Sequence, residues 1–452
     1  MMAADIGNAY LNAPTKEKVY TTAGAEFGSE LQGHLIVIVR ALYGLKSSGA
    51  AWRSHLVNTL QTMGFKSSLA DPDVWIRPAI KPNGEKYYEY ILAYVDDILA
   101  ISHDPSKILF HLADFYRLKD GFDKPTRYLG AEVKEWRFPN DPTKVRWAMT
   151  SEQYVKEAVK NIEEYLAHEK RTLKRNKQPF ASDYFPELDT SPLLNEDEAN
   201  HYMSHVSILR WMVELGRLDI YINIALLSSF LMQPRRGHLE AIYSIYGYLK
   251  YHDRSTMIFD DAPIKWNDDD FIQYDWTDFY HDAKESIPPN APEPRGKAIQ
   301  LTAFVDANHA RNRVNRRSHT GILIFMNTAP ILWYSKAQTT VESSTFGSEF
   351  VAMRIATDLI ESLRYKLRML GVPIDGPTNV LTDNLAVVQN STIPSSTIKK
   401  KHNSICYHRV REAVAAGMIR IAHVPSTENL ADMFTKPLPA SLLMNLIQRV
   451  LY

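Results

Sequence analysis

Short apolar runs alternate with amphipathic stretches over the first 259 residues. "HLIVIV" and "YEYILAYVDDILAIS" have the composition of strands, and a 3.6-residue period marks "AAWRSHLVNTLQTMGF", "TSEQYVKEAVKNIEEYL" and "HLEAIYSIYGYLKYH" as helices. This mixture predicts an α+β domain with an appended helical part over residues 1–259. Residues 260–298 show no sustained period, are rich in Asp, Pro and aromatic residues, and include "SIPPNAPEPRG", the composition of a linker. Beyond them the pattern sharpens. "QLTAFVDAN", "TGILIFMN" and "APILWYSK" read as three strands, followed by a long amphipathic helix from about Ser344 to Leu370. Strand "TNVLTDN", a helix over "SSTIKKKHNSICYHRVREAVAAG", strand "MIRIAHVP" and a helix over "NLADMFTKPL" complete the order. Three strands and then alternating helix and strand predict a compact α/β domain over residues 299–438, with a tail over 439–452. The greasiest segment, "IYINIALLSSFLM", is short for a membrane span and carries Asn and two Ser, so a buried helix is expected and no membrane partner.

Lys+Arg and Asp+Glu both number 52 in the 452 residues, so overall charge points to no partner. Local charge does: "HEKRTLKRNK", "ARNRVNRR" and "IKKKHNSICYHRVRE" are basic, and residues 260–293 are acidic. Basic clusters on a neutral chain suit a face that follows phosphates, although each alone also fits a solvated loop. The single cysteine, Cys406, excludes an intramolecular disulfide framework and fits a reducing compartment. The first residues have neither the basic region nor the apolar core of a signal peptide. An intracellular protein, cytoplasmic or nuclear, is expected.

Two sets of acids change the picture. Asp96 and Asp97 interrupt an apolar run with no Lys or Arg between Lys86 and Lys107. Adjacent carboxylates repel, so the pair is either a solvated hairpin turn or a site for a divalent cation. In the later domain Asp306 lies inside an apolar strand, Glu349 near the start of the long helix, Asp383 just after a strand and Asp432 in the last helical segment. Acids at such positions suggest a carboxylate cage; oxygen-only ligands favour Mg²⁺ or Mn²⁺, and two such ions about 4 Å apart can clamp a phosphodiester.

The motifs "VDAN", "RRSHTGILIF", "ILWYSKAQ", "GSEFVAM", "LTDNLAVV" and "KKHNSICYHRVREAVAAGMIRIAHVPSTENLADMFTKPL" resemble the ribonuclease H domain of copia-type retrotransposon polyproteins. Upstream, "DIGNAYLNAPTKEKVY", "RALYGLKSSGAAW", "MGFKSSLADPDVWI", "YVDDILA" and "YLGAEVKE" resemble, in order, the palm motifs of a copia-type reverse transcriptase. The resemblance implies a reverse-transcriptase palm and thumb-like domain followed by a ribonuclease H-like domain. It assigns Asp306, Glu349, Asp383 and Asp432 as metal ligands of the second, and Asp5, Asp96 and Asp97 as the catalytic acids of the first, with Asp5 and Asp96 holding Mg²⁺ or Mn²⁺. Tyr10 matches the aromatic that faces the nucleotide sugar. Gly44 and Lys46 of "LYGLK" and Tyr94 of "YVDD" fall at the nucleotide and primer, Lys119 is a candidate proton donor to pyrophosphate, and Tyr128 and Gly130 match a primer-gripping hairpin. Arg316, Arg317, Lys399, Lys400, Lys401 and His402 are expected on the nucleic-acid side. The implied partners are RNA, DNA, their hybrid and deoxynucleoside triphosphates.

Departures from the family pattern are Gly7 for Lys, Gly49 for Pro, Asn308-His309 for Asp-Trp, Gly347 for Glu and Asn403-Ser404 for Ile-Asp; none removes an implied ligand. Asp5 stands almost at the start, so the fingers that cover an incoming nucleotide are expected to be missing and polymerisation to be weak. A complete element would carry fingers, integrase and protease upstream. Two alternatives stay open, a nucleic-acid-binding remnant without turnover and another ribonuclease H-like polynucleotidyl transferase.

Overall fold

The computed structural model describes residues 1–253, 255–398 and 401–452, with the backbone alone at residue 16. Helices and strands are mixed throughout, an α+β protein. They form two compact units, one of Met1–Pro125, Pro288–Lys297 and Tyr365–Pro373, the other of Thr126–Ile287, Ala298–Arg364 and Ile374–Tyr452.

In the first unit, six strands make one antiparallel sheet in the order Lys66–Ser67, Val74–Ile80, Lys86–Tyr94, Asp97–Ile101, Met2–Ile6, Leu118–Asp123. Helix Ser48–Thr62 buries Trp52, Leu56, Thr59 and Leu60, a stripe at helical spacing, and ends at Gly64, whose φ of 85° is easiest for a residue without Cβ. That stripe and Ile108, Leu109 and Leu112 of helix Pro105–Ala113 pack on Ala4, Ile6, Ile98 and Ala100 of the sheet. Side chains alternate along a strand, so Asp5, between Ala4 and Ile6, falls on the opposite face.

The second unit is built on a five-stranded sheet in the order Ala329–Ala337, His319–Met326, Leu301–Asn308, Thr378–Thr382, Ile419–His423. The first three pair antiparallel and the last two run parallel to Leu301–Asn308. That central strand is buried on both faces from Leu301 to Ala307, which explains its near-continuous apolar sequence. One core joins the sheet to helices Thr345–Met369 and Ser404–Ala415 through Phe350, Met353, Ile360 and Val410. A second joins Phe304, Leu323 and Phe434 to helices Glu152–His168, Glu196–Glu214, Arg236–Tyr251 and Ala440–Ile447. Helices that precede residue 259 therefore share a core with the sheet that follows residue 299. A four-stranded sheet in the order Thr256–Phe259, Asp141–Thr150, Ala131–Phe138, Arg127–Tyr128 completes the unit.

Several elements differ from the periodicity. The segment "NLADMFTKPL" forms a 3₁₀ turn, Leu430–Phe434, and not a longer helix: Asn429 accepts from the Ala431 N–H, and Pro437 lacks the N–H a continuing helix needs. Among the described residues, the helix expected over "SSTIKKKHNSICYHRVREAVAAG" covers Ser404–Ala415, and an additional helix, Leu385–Thr392, is capped by the Asn384 side chain. "IYINIALLSSFLM" breaks after helix Tyr221–Leu227 into a 3₁₀ turn at Ser228–Phe230. No described helix is long and apolar enough to cross a membrane. Within 260–287 regular structure is sparse, yet Phe271 and Trp276 are buried, Glu285 accepts two bonds from Arg364 at 2.6 and 2.8 Å, and the Arg411 guanidinium lies 4.7 Å from the Trp276 ring centroid.

Candidate functional site

In the first unit Asp5 stands directly across the sheet from Asp97, which puts both carboxylates on the face opposite helices Ser48–Thr62 and Pro105–Ala113. Asp96 sits in the turn between, where its carbonyl accepts from the Ile6 N–H at 2.9 Å. The turn requires Val95 at φ 57°, a left-handed conformation that is strained for a β-branched residue. The buried Trp52 indole holds it by donating to the Val95 carbonyl at 2.6 Å. The Asp97 pKa is raised, first by partial burial and then by Asp96 and Asp5. Lys119 Nζ reaches Asp5 at 3.9 Å, but the two side chains are 66% and 41% exposed, so water supplies most of the compensation.

Tyr10 packs against Tyr43 with ring centroids 4.6 Å apart, and the Tyr43 phenol pKa is raised by burial and by Asp96. Gly44, at φ 93°, makes the adjoining turn; Lys46 and Tyr94 are exposed. Tyr10, Trp52, Trp75 and Tyr94 line a cavity of about 170 Å³. Tyr128 and Gly130 belong to the second unit, in a hairpin whose turn residues Leu129 and Gly130 have φ 48° and 88°, the left-handed pair a two-residue turn prefers.

In the second unit the acids converge. Carboxylate oxygens of Asp306, Glu349 and Asp383 lie within 4.8 Å of one another. Asp306 and Glu349 are 4% and 5% exposed, and Glu349 Oε2 is buried without a hydrogen-bond partner. Burial and the neighbouring Asp432 push the Asp306 pKa up to about 7, against the opposing pull of Lys436 and Thr435. Glu349 is pushed well above the carboxylate range by burial, then by Asp306 and Asp383. An oxygen-only donor set, like charges held together and an unpartnered buried oxygen are features with which these residues could hold a cation.

Asp432 is placed by parts the periodicity did not reveal. The Asn429 amide donates to the Val305 carbonyl at 3.1 Å, fixing the 3₁₀ turn against the strand of Asp306. Gly321, opposite Asp306, permits that approach, because a Cβ there would stand 2.6 Å from the Ala431 carbonyl oxygen. Thr435 donates to Asp306 Oδ2 at 2.5 Å, and Lys436 pairs with Asp432 at 2.9 Å. The four-residue spacing of Asp432 and Lys436 was the available signal for that pair.

Of the basic residues expected on the substrate side, Arg316, Arg317 and Lys401 are exposed. His402 Nε2 lies 3.4 Å from Oε2 of the buried Glu342. Lys399 and Lys400 lie outside the described residues. Gly347 has a local reason: a Cβ there would come within 2.7 Å of both Glu342 Oε2 and Asn403 Nδ2.

Residues 1–162 match the family described as reverse transcriptase (RNA-dependent DNA polymerase). Over 99% of its length the chain is 25% identical to the retrovirus-related Pol polyprotein from transposon RE1 of Arabidopsis thaliana, of which it covers 27%. It is 23% identical over 96% of its length to the corresponding polyprotein from transposon TNT 1-94 of Nicotiana tabacum, covering 29% of that protein. The chain thus spans roughly a quarter of these relatives. Among solved structures, ribonuclease H1 from the halophilic archaeon Halobacterium salinarum NRC-1 aligns with 30% of this chain and 94% of its own, at 16% identity and a TM-score of 0.24.

Proposed function

We propose that the chain is a reverse transcriptase and ribonuclease H region of a copia-type Pol polyprotein, and that its second unit hydrolyses the RNA strand of RNA–DNA hybrids; the match of residues 1–162 and the similarity to Pol polyproteins along the chain support this reading. The observation that carries this reading is the convergence of the buried Asp306 and Glu349 with the half-buried Asp383. The donor set fits Mg²⁺ or Mn²⁺: three carboxylates, no sulfur or imidazole, and a buried Glu349 oxygen awaiting a partner. When bound, such ions supply Lewis-acid polarisation of the scissile phosphate and acidification of the attacking water.

The residues of the chain do the rest. Asp306, Glu349 and Asp383 hold the charge at one point, with Asp432 completing the set. Thr435 fixes the Asp306 carboxylate, and Lys436 pairs with Asp432 beside the other acids. Arg316, Arg317 and Lys401, with Lys399 and Lys400, follow the phosphates, and His402 lies on the same substrate side. An enzyme of this kind reads the hybrid by shape and 2′-hydroxyls, so duplex DNA survives.

For the first unit we propose the nucleotidyl-transfer role, with Asp5 and Asp96 as metal ligands, Asp97 beside them, Tyr10 facing the sugar and Lys119 as proton donor. The support is the shared sheet face of Asp5 and Asp97 and the strained turn that aims Asp96. Tyr128 and Gly130 are assigned to the primer. As functional segments the reading keeps 1–259 for polymerisation, 260–298 as the connection, 299–438 for hydrolysis and 439–452 as a tail.

The test is cleavage of 5′-labelled RNA in a hybrid by the full chain with Mg²⁺ or Mn²⁺, beside Asp383→Asn. Cutting that needs the metal and vanishes in the variant supports the reading; equal cutting by both overturns it.

A further inference from the structure

A cavity of about 480 Å³ opens in the second unit between the loop that follows strand Leu301–Asn308, strand Ala329–Ala337, helix Tyr221–Leu227 and the turn at Pro186–Leu188. None of the four acids Asp306, Glu349, Asp383 and Asp432 lines it. Its charged lining is Arg210, Arg311, Arg317 and Lys336 against a single carboxylate, Glu187.

Arg311 is the unusual member. It is 7% exposed, donates once to the Tyr184 carbonyl at 3.3 Å and lies 5.1 Å from the Phe185 ring centroid, while its Nε is buried without a partner. Glu187 accepts from the Arg313 backbone N–H at 2.9 Å and only partly offsets the burial of Arg311, whose pKa stays lowered. Among the described residues no ion pair joins Arg210, Arg311, Arg317 or Lys336 to any acid. A buried guanidinium with an idle donor is costly unless an anion completes it, and the fork of N–H groups matches phosphate oxygens. Exposed cations at the rim, here Arg210, Arg317 and Lys336, would draw a polyanion in.

We propose that this cavity is an anion site that takes a phosphate group, with Arg311 at its floor. Assigning the phosphate to a nucleic-acid backbone rests on the hydrolase reading above. Free phosphate or pyrophosphate is the other source with the same chemistry, and one experiment separates them.

Binding of a labelled RNA–DNA hybrid to the full chain is measured in EDTA from low to high KCl, for wild type, Arg210→Ala/Lys336→Ala and Arg311→Gln. Loss of two phosphate contacts in the double variant flattens the slope of log K against log salt by about 2. Inorganic phosphate and pyrophosphate are titrated separately, with the melting temperature as readout. A flatter slope assigns the site to the backbone. An unchanged slope, with phosphate raising the melting temperature of wild type and not of the variants, assigns it to free phosphate. If the surface double variant matches wild type in both arms, the site does not exist, whatever Arg311→Gln does to folding. Metal-dependent cutting by wild type is scored on parallel samples with Mg²⁺ in place of EDTA. A pocket-dependent slope without cutting removes the hydrolase reading alone, and cutting without pocket dependence removes the pocket alone.

Discussion

Asp5 and Asp97 share a sheet face open to water, whereas Asp306, Glu349 and Asp432 are each no more than 5% exposed. The residue types are the same and the solvation is opposite. In the first unit charge costs little, because water and a loose Lys119 screen it, and the constraint is stored in the backbone at Val95. In the second the constraint is electrostatic: burial and like charge hold Asp306 and Glu349 above their ordinary range. An open acid cluster is screened by water; under the proposed function, a buried one is where a cation would relieve the most repulsion.

The largest effect expected from this contrast is on hydrolysis. Asp383→Asn lowers hybrid cleavage by at least about 100-fold, since a charge of the cage is lost where electrostatic stabilisation is strongest. Asp97→Asn leaves cleavage unchanged, and equal losses in both would erase the distinction between the two sets.

Next is the pH dependence of metal-free stability. Asp306 has a folded pKa of about 7 against an unfolded value near 3.9, so the folded state binds the extra proton. Its contribution to stability therefore falls as pH rises between those values and stays lost above about 7. In EDTA, wild type should lose on the order of 3 kcal/mol relative to Asp306→Asn between pH 5 and pH 8 by urea denaturation. Mg²⁺ should reduce that loss, and parallel pH profiles for the two proteins would contradict the electrostatic account.

Much of this was legible in the chain and some was not. Asp306 could be found because a charge inside an apolar strand has few explanations, and "YVDD" because two acids interrupt a hairpin. The cage suggested by these acids has Asp306, Glu349 and Asp383 within 4.8 Å of one another, whereas the roles of Gly321 and Asn429 are tertiary and need the 3₁₀ turn that a helical reading of "NLADMFTKPL" replaced. Arg311 looked like one more basic loop residue; only the packing of Tyr184 and Phe185 around it reveals its burial. The core shared by early helices and late strands was hidden because periodicity reports which face is apolar, not what covers it.

Two smaller effects sharpen the contrast on the open side. Trp52→Phe removes the hydrogen bond to the Val95 carbonyl and should lower stability by about 1 kcal/mol by urea denaturation. Lys119→Ala should change it by less than about 0.5 kcal/mol, because the pair with Asp5 is solvated. A larger loss for Lys119→Ala than for Trp52→Phe would mean that charge, not the turn, governs that site.

The most direct test is a calorimetric titration of Mn²⁺ into the full chain at pH 8, without nucleotide or nucleic acid, for wild type, Asp383→Asn and Asp96→Asn. The buried cage should bind the ion on its own, so Asp383→Asn weakens the tightest site at least about tenfold while Asp96→Asn leaves it intact. A tight site that survives Asp383→Asn and disappears in Asp96→Asn would contradict the account.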